Sequence, residues 1–128
     1  MPEPVRVLLV EDSDVFREAL ELLFSLRDDV EVVAAVADGA QAAPAALEHA
    51  PDVVLMDYRL PGLDGVQATR AVRAACPDTA VVCLTASADG RDIEALHAAG
   101  ATTCLRKDQD LEDIVEAIKR AAESRAWT

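Results

Sequence analysis

Acidic, hydroxyl and ammonium side chains stand at four places where an apolar run gives out: Glu11 with Asp12, then Asp57, Thr85 and Lys107. Together these groups could hold a divalent cation and a phosphoryl group. Carboxylates that share a site repel one another, and the repulsion is tolerable only if a cation lies among them or protons are taken up. A hard ion with oxygen ligands suits the set, and Mg²⁺ is the usual choice because it takes one or two carboxylates and a phosphate oxygen while keeping several waters. The charges then balance, with the carboxylates of Glu11, Asp12 and Asp57 set against Mg²⁺ and the Lys107 ammonium. Asp57 can attack phosphorus and form an acyl phosphate. Lys107 can hold one phosphoryl oxygen by charge, and the Thr85 hydroxyl can donate to another. Arg59, in the turn-rich segment Tyr58 to Gly65 that returns over the site, can offer its backbone carbonyl to the metal. Phosphoryl transfer needs little beyond alignment and neutralised equatorial oxygens.

Residues so far apart in sequence meet only if the ends of those runs share an edge. The runs Val5 to Val10, Val53 to Met56, Ala80 to Leu84 and Thr102 to Leu105 each precede a helical segment. The first two are continuously apolar rather than alternating, as strands covered on both faces are. Val30 to Val36 reads as a further strand nearer an edge. Phe16, Ala19, Leu20 and Leu23 recur at one-face helical spacing, as do Ala68, Ala71, Val72 and Ala75, and Leu111, Ile114, Val115 and Ile118. Strand and helix thus alternate five times, which predicts an α/β fold: a doubly wound, flavodoxin-like parallel sheet of order 2-1-3-4-5 with five helices. Its first and third strands flank the switch point, where Glu11, Asp12 and Asp57 would be neighbours. Ser13 or Asp12, Asp64, Asp89, and Asp108 or Asp110 are the candidate helix caps. Pro44 predicts that the second helix starts late or is distorted in its first turn.

The 128 residues fit one domain, residues 1–128, with about 124–128 a terminal tail or the start of a linker. The net charge of -12 repels a nucleic acid backbone, so an effect on DNA would act through another domain or a partner. Cys76, Cys83 and Cys104 form no C-x-x-C pair and no metal cluster with His49 and His97, which fits reduced thiols. Met1 to Pro4 lacks the features of a signal peptide, and no apolar stretch nears membrane-spanning length, so a cytoplasmic location is expected.

The motifs L-L-V-E-D at Leu8 to Asp12, V-V-L-M-D-Y-R-L-P-G-L-D-G at Val53 to Gly65, L-T-A at Leu84 to Ala86, A-G-A at Ala99 to Ala101 and L-R-K-D at Leu105 to Asp108 run the length of the chain. In them the sequence resembles the receiver domain of bacterial two-component response regulators, a CheY-like fold. That resemblance implies that Glu11 and Asp12 bind Mg²⁺ and that Asp57 accepts a phosphoryl group from a sensor histidine kinase. It also makes Thr85 the signalling hydroxyl and Lys107 the phosphate-binding lysine. Asp108, where many receivers have proline, resembles the subfamily of LuxR, NarL and FixJ type with a helix-turn-helix output domain, which implies transcription regulation. Cys104 departs from the family, which commonly has Tyr or Phe there as an inward-turning ring; signalling would then use backbone shifts of the fourth helix and fifth strand, or homodimerisation through terminal helices. Ser87 and Arg59 occupy positions that influence phosphate loss in the family.

Taken singly, Glu11-Asp12 reads as a helix cap, Lys107 as a surface charge and Thr85 as a strand-end hydroxyl; their agreement at four strand ends favours the shared site. Cys104 and Cys83 read as small buried hydrophobes rather than redox sensors, His49 and His97 as surface or boundary residues, and Trp127 as interface or linker packing. Three other functions compete with a phosphorylation switch. A phosphatase or mutase with an aspartyl phosphate would place an acid where Arg59 stands. A flavodoxin-like electron carrier would follow its first strand with a hydroxyl-rich loop instead of acids. A phosphorylation-independent, receiver-like protein-binding module would have no need of the intact acidic pair, Thr85 and Lys107.

Overall fold

The computed structural model describes residues 3–86 and 90–126, with side chains through residue 123. Five parallel strands, β1 (Val5–Val10), β2 (Val30–Val36), β3 (Val53–Asp57), β4 (Ala80–Thr85) and β5 (Thr103–Arg106), pair in the order β2-β1-β3-β4-β5. Five helices connect and follow them: α1 (Asp14–Ser25), α2 (Ala42–His49), α3 (Gly65–Ala75), α4 (Gly90–Ala98) and α5 (Leu111–Ala126). The expected topology is therefore the one observed, with β2 at an edge.

Every residue of β3 and β4 is buried, because helices cover both faces of the sheet. Alternate residues serve the two sides. Val7, Leu9, Val53, Leu55, Val82 and Leu84 pack with Leu20 and Phe24 of α1 and with Ile114, Val115 and Ile118 of α5. Leu8, Val10, Val54, Met56, Val81 and Cys83 pack with Ala45 and Ala46 of α2, Ala68 and Val72 of α3, and Leu96 of α4. A register irregularity between Val7 and Leu8 interrupts the β1–β2 ladder.

Ser13 caps α1, its hydroxyl accepting from the Phe16 N–H. Asp64 caps α3 in a reciprocal box with Gln67. The Asp110 carbonyl accepts from the Asp113 and Ile114 N–H groups at the start of α5, whereas the Asp108 carboxylate pairs with Arg106 at 2.6 Å. Pro44 falls in the first turn of α2, where an N–H has no helical acceptor, and a 3-10 turn over Gly39–Gln41 precedes that helix. The inward stripe of α1 is Phe16, Leu20 and Phe24: Phe16 and Leu20 face inward as expected, whereas Ala19 and Leu23 face solvent and Phe24 takes the place of Leu23, since a run rich in apolar residues offers overlapping stripes. α5 continues to Ala126, so the helix runs into the segment expected to be a terminal tail or the start of a linker. Asp89, Ser87 and Trp127 lie outside the described residues.

Candidate functional site

The parallel ladders carry each strand's carboxyl end to one edge. β1 pairs Val10 with Met56, so Glu11 and Asp12 emerge beside Asp57; β3 pairs Asp57 with Leu84, and β4 pairs Thr85 with Arg106, the residue before Lys107. Loop backbone continues this order. The Tyr58 N–H donates to the Leu84 carbonyl and the Lys107 N–H to the Thr85 carbonyl, each at 2.9 Å.

At this edge the Lys107 Nζ lies 2.7 Å from Glu11 Oε1 and 3.1 Å from Asp57 Oδ2. The same ammonium stands 4.8 Å from the centre of the Phe16 ring, which gives the cation an apolar floor that can also attract it. Glu11 and Asp57 are buried, whereas Asp12 is exposed, and one oxygen from each of the three carboxylates can be chosen so that all lie within 4.8 Å of one another. Glu11 Oε2 accepts from the Ser13 N–H at 2.9 Å, and the Glu11 carbonyl accepts from Arg17 at 2.8 Å. Glu11 Oε1 is buried and, despite the nearby ammonium, has no aligned hydrogen-bond donor.

Electrostatics follow from this crowding. Burial first, and then the Glu11 charge, push the Asp57 carboxyl up to about 7, although Lys107 acts in the opposite sense. Burial works to lower the Lys107 pKa, but the Glu11 and Asp57 carboxylates outweigh it and the ammonium is held above its ordinary range. A metal-free site therefore keeps the lysine charged and strains the ionisation of Asp57.

A divalent cation fits this donor set: three carboxylates converge, two of them buried. Buried Thr85 lies at the same edge. The Arg59 N–H approaches Asp57 Oδ1 at 3.4 Å while its side chain is exposed, so the Arg59 backbone runs over the carboxylate. Glu11, Asp12, Asp57, Arg59, Thr85 and Lys107 thus reach one edge.

Three neighbours had no readable signal. Phe16 under Lys107, the Ser13 amide on Glu11, and a 2.7 Å hydrogen bond from the Tyr58 hydroxyl to Asp92 of α4 depend on packing between elements. The loop after β3 is closed by contacts that only glycine permits. The Gly65 N–H donates to the Tyr58 carbonyl at 2.7 Å, and a Cβ at Gly65 would stand 2.8 Å from the Asp57 carbonyl oxygen.

A doubly wound five-stranded sheet with an acidic cluster and a lysine at its carboxyl edge defines the receiver class of α/β protein. The chain belongs to the response regulator receiver domain family, whose description matches residues 7–119. It is 36% identical over 123 residues to the "Nitrate/nitrite response regulator protein homolog" of Haemophilus influenzae, an alignment covering 96% of this chain and 59% of that relative. The LuxR-family two-component response regulator of Aurantimonas sp. SI85-9A1 superposes with a TM-score of 0.89 at 31% identity, over 96% of this chain and 88% of that one. The receiver domain of the sensor histidine kinase PA1611 from Pseudomonas aeruginosa, solved with a magnesium ion in its active-site cleft, gives a TM-score of 0.82 at 35% identity, covering 94% and 98% of the two chains. The chain spans between about half and three-fifths of the length of curated relatives that it matches. Among the described residues no helix is long and apolar enough to cross a membrane.

Proposed function

We propose that this chain is a phosphorylation-controlled signalling switch in which Asp57 is the phosphoacceptor. The observation that carries the reading is the placement of the Lys107 ammonium against both Glu11 and Asp57 at the strand edge where Thr85 also ends. An Asp57 carboxylate oxygen would form the new P–O bond as the P–N bond of a phosphohistidine on a sensor kinase breaks, the electron pair leaving with the imidazole nitrogen. Lys107 is close enough to pass from the carboxylate to an incoming phosphoryl oxygen, and the Thr85 hydroxyl is the donor for another. Glu11, Asp12, Asp57 and the Arg59 carbonyl would hold Mg²⁺, which supplies positive charge that favours ionised Asp57 and offsets the phosphoryl charge. Phosphorylation then shifts a conformational balance because the phosphoryl group interacts with Thr85 and Lys107 differently in the two states.

The domain is a signalling phosphoacceptor that promotes its own phosphotransfer and dephosphorylation, rather than an enzyme that turns over an external substrate. Residues 1–128 form one receiver unit in this reading. Its relatives' greater length and the LuxR-family name of one structural neighbour support a helix-turn-helix output module in the same protein, acting on transcription in the cytoplasm. DNA contact would belong to that module, since the receiver carries a net charge of -12. Homodimerisation is a fitting read-out.

Intact mass after incubation with Mg²⁺ and acetyl phosphate tests the central step. A single phosphoryl adduct is expected, dependent on Mg²⁺ and absent from Asp57→Asn, with molar mass in solution reporting any dimer. An intact, folded chain that takes no adduct from small donors or from a histidine kinase would sink the reading and favour a phosphorylation-independent binding module.

A further inference from the structure

The β4–β5 register sets Cys83 directly opposite Cys104. Adjacent strands lie about 4.8 Å apart, and paired side chains leave the sheet on the same face. That separation is within the roughly 4.4–6.8 Å between Cα atoms that a disulfide spans. Both side chains pack into the cluster under α3 and α4, and the Thr69 hydroxyl lies 3.7 Å from the Cys83 sulfur. Neither is bridged: both are free thiols, Cys83 buried and Cys104 half-buried, so a small oxidant can reach Cys104 first. The contact with Cys83 also lowers the Cys104 thiol to about 7, while the contact with Cys104 and burial drive Cys83 far upward. The reachable sulfur is thus also the one with more thiolate character. Cys76 stands apart at the end of α3.

We propose that Cys83 and Cys104 are an intramolecular redox couple that closes a disulfide between β4 and β5 when a peroxide acts on Cys104. The Cys104 sulfur attacks one peroxide oxygen, the O–O bond breaks, and a sulfenic acid and one water result. The Cys83 sulfur then displaces the hydroxyl: the S–O bond breaks, the S–S bond forms, and the Cys83 proton leaves with the hydroxyl as a second water. Two electrons pass from the thiols to the peroxide. The bridge would tie the strands together two register pairs below Thr85 and Arg106, and so fix the backbone that leads to Lys107.

Hydrogen peroxide, acid quenching and alkylation under denaturing conditions decide the matter by mass. In a Cys76→Ser chain the expected product is lighter by two hydrogens, has lost both alkylatable thiols, and regains them with dithiothreitol. Cys104→Ser in that background should abolish the change. Cys83→Ala should convert it to oxygen addition at Cys104, which shows a folded chain with a reactive sulfur. The proposal is overturned if Cys83 remains alkylatable while Cys104 gains oxygen, if both thiols survive, or if the product is a linked pair of chains.

Discussion

At Asp57, charge and burial make a prediction about stability as well as about chemistry. The folded chain keeps a proton on this carboxyl up to about pH 7, whereas an unfolded chain releases it near about pH 4. Between those values the folded state binds more protons, so this group's stabilising contribution is full at low pH and is lost as the pH rises through about 7. Asp57→Asn removes that loss. Without Mg²⁺, the variant should match the natural chain near about pH 4 and exceed it by on the order of 2 kcal/mol above about pH 7. Urea midpoints across this range measure the difference, and an unchanging gap would contradict the raised pKa. Lys107→Ala should act in the opposite direction, leaving Glu11 and Asp57 without their cation and costing on the order of 1–3 kcal/mol at neutral pH. The same variant should accept phosphoryl groups poorly, whereas normal acceptance would remove Lys107 from the proposed mechanism. The identity of these residues was legible because each ends an apolar run. Their electrostatic tuning was not, because the Phe16 ring, the Ser13 amide and the degree of burial around Asp57 are set by how α1 crosses the sheet edge.

Between elements, the loop after β3 is fastened on both sides. Its Pro61 carbonyl accepts from the Gly39 N–H at 3.0 Å, and a Cβ at Gly39 would overlap the Leu63 carbonyl oxygen. Gly39→Ala should therefore push the turn before α2 away from this loop at a cost of about 2–4 kcal/mol, read as a lower urea midpoint; a loss too small to measure would mean the loop yields freely. On the other side, the Tyr58 hydroxyl holds Asp92 in the first turn of α4. Tyr58→Phe keeps the ring and removes this hydrogen bond, worth about 1 kcal/mol. Amide exchange should speed up in the first turns of α4 while the sheet amides hold their rates. Uniform acceleration would mean the bond supports the whole fold, and no acceleration would mean it supports nothing. Strand and helix order could be read because continuous apolar runs and capping residues such as Ser13 and Asp64 are local signals. The one-step error on α1, where Phe24 rather than Leu23 is buried, arose because Leu22, Leu23 and Phe24 are adjacent apolar residues and only tertiary contact selects among them. The Cys83–Cys104 pairing was hidden for a related reason: register between β4 and β5 is a relation of two segments, and neither cysteine advertises it alone.

Across the whole molecule, the site is assembled from the ends of β1, β3, β4 and β5, and both apolar clusters are built on those same strands. No part of the edge can come apart without disturbing ladders that run through the core, so a ligand at the edge should stabilise the domain as a unit. A cation that binds the folded chain and not the unfolded one adds RT ln(1 + [L]/Kd), about 1.4 kcal/mol at ten times its Kd. Thermal unfolding followed by far-UV circular dichroism should show one transition, which Mg²⁺ moves upward without splitting. The shift should shrink in Asp12→Asn, because Asp12 is exposed and replacing it removes a proposed ligand without touching the core. A second transition appearing with Mg²⁺ would mean that the strand edge unfolds independently of the clusters. An equal shift in Asp12→Asn would place the cation elsewhere on a surface whose net charge of -12 attracts cations broadly. Raising the concentration of monovalent salt separates these cases further, because diffuse attraction is screened within about 8–10 Å at physiological ionic strength, whereas ligation by converging carboxylates, two of them buried, is screened much less.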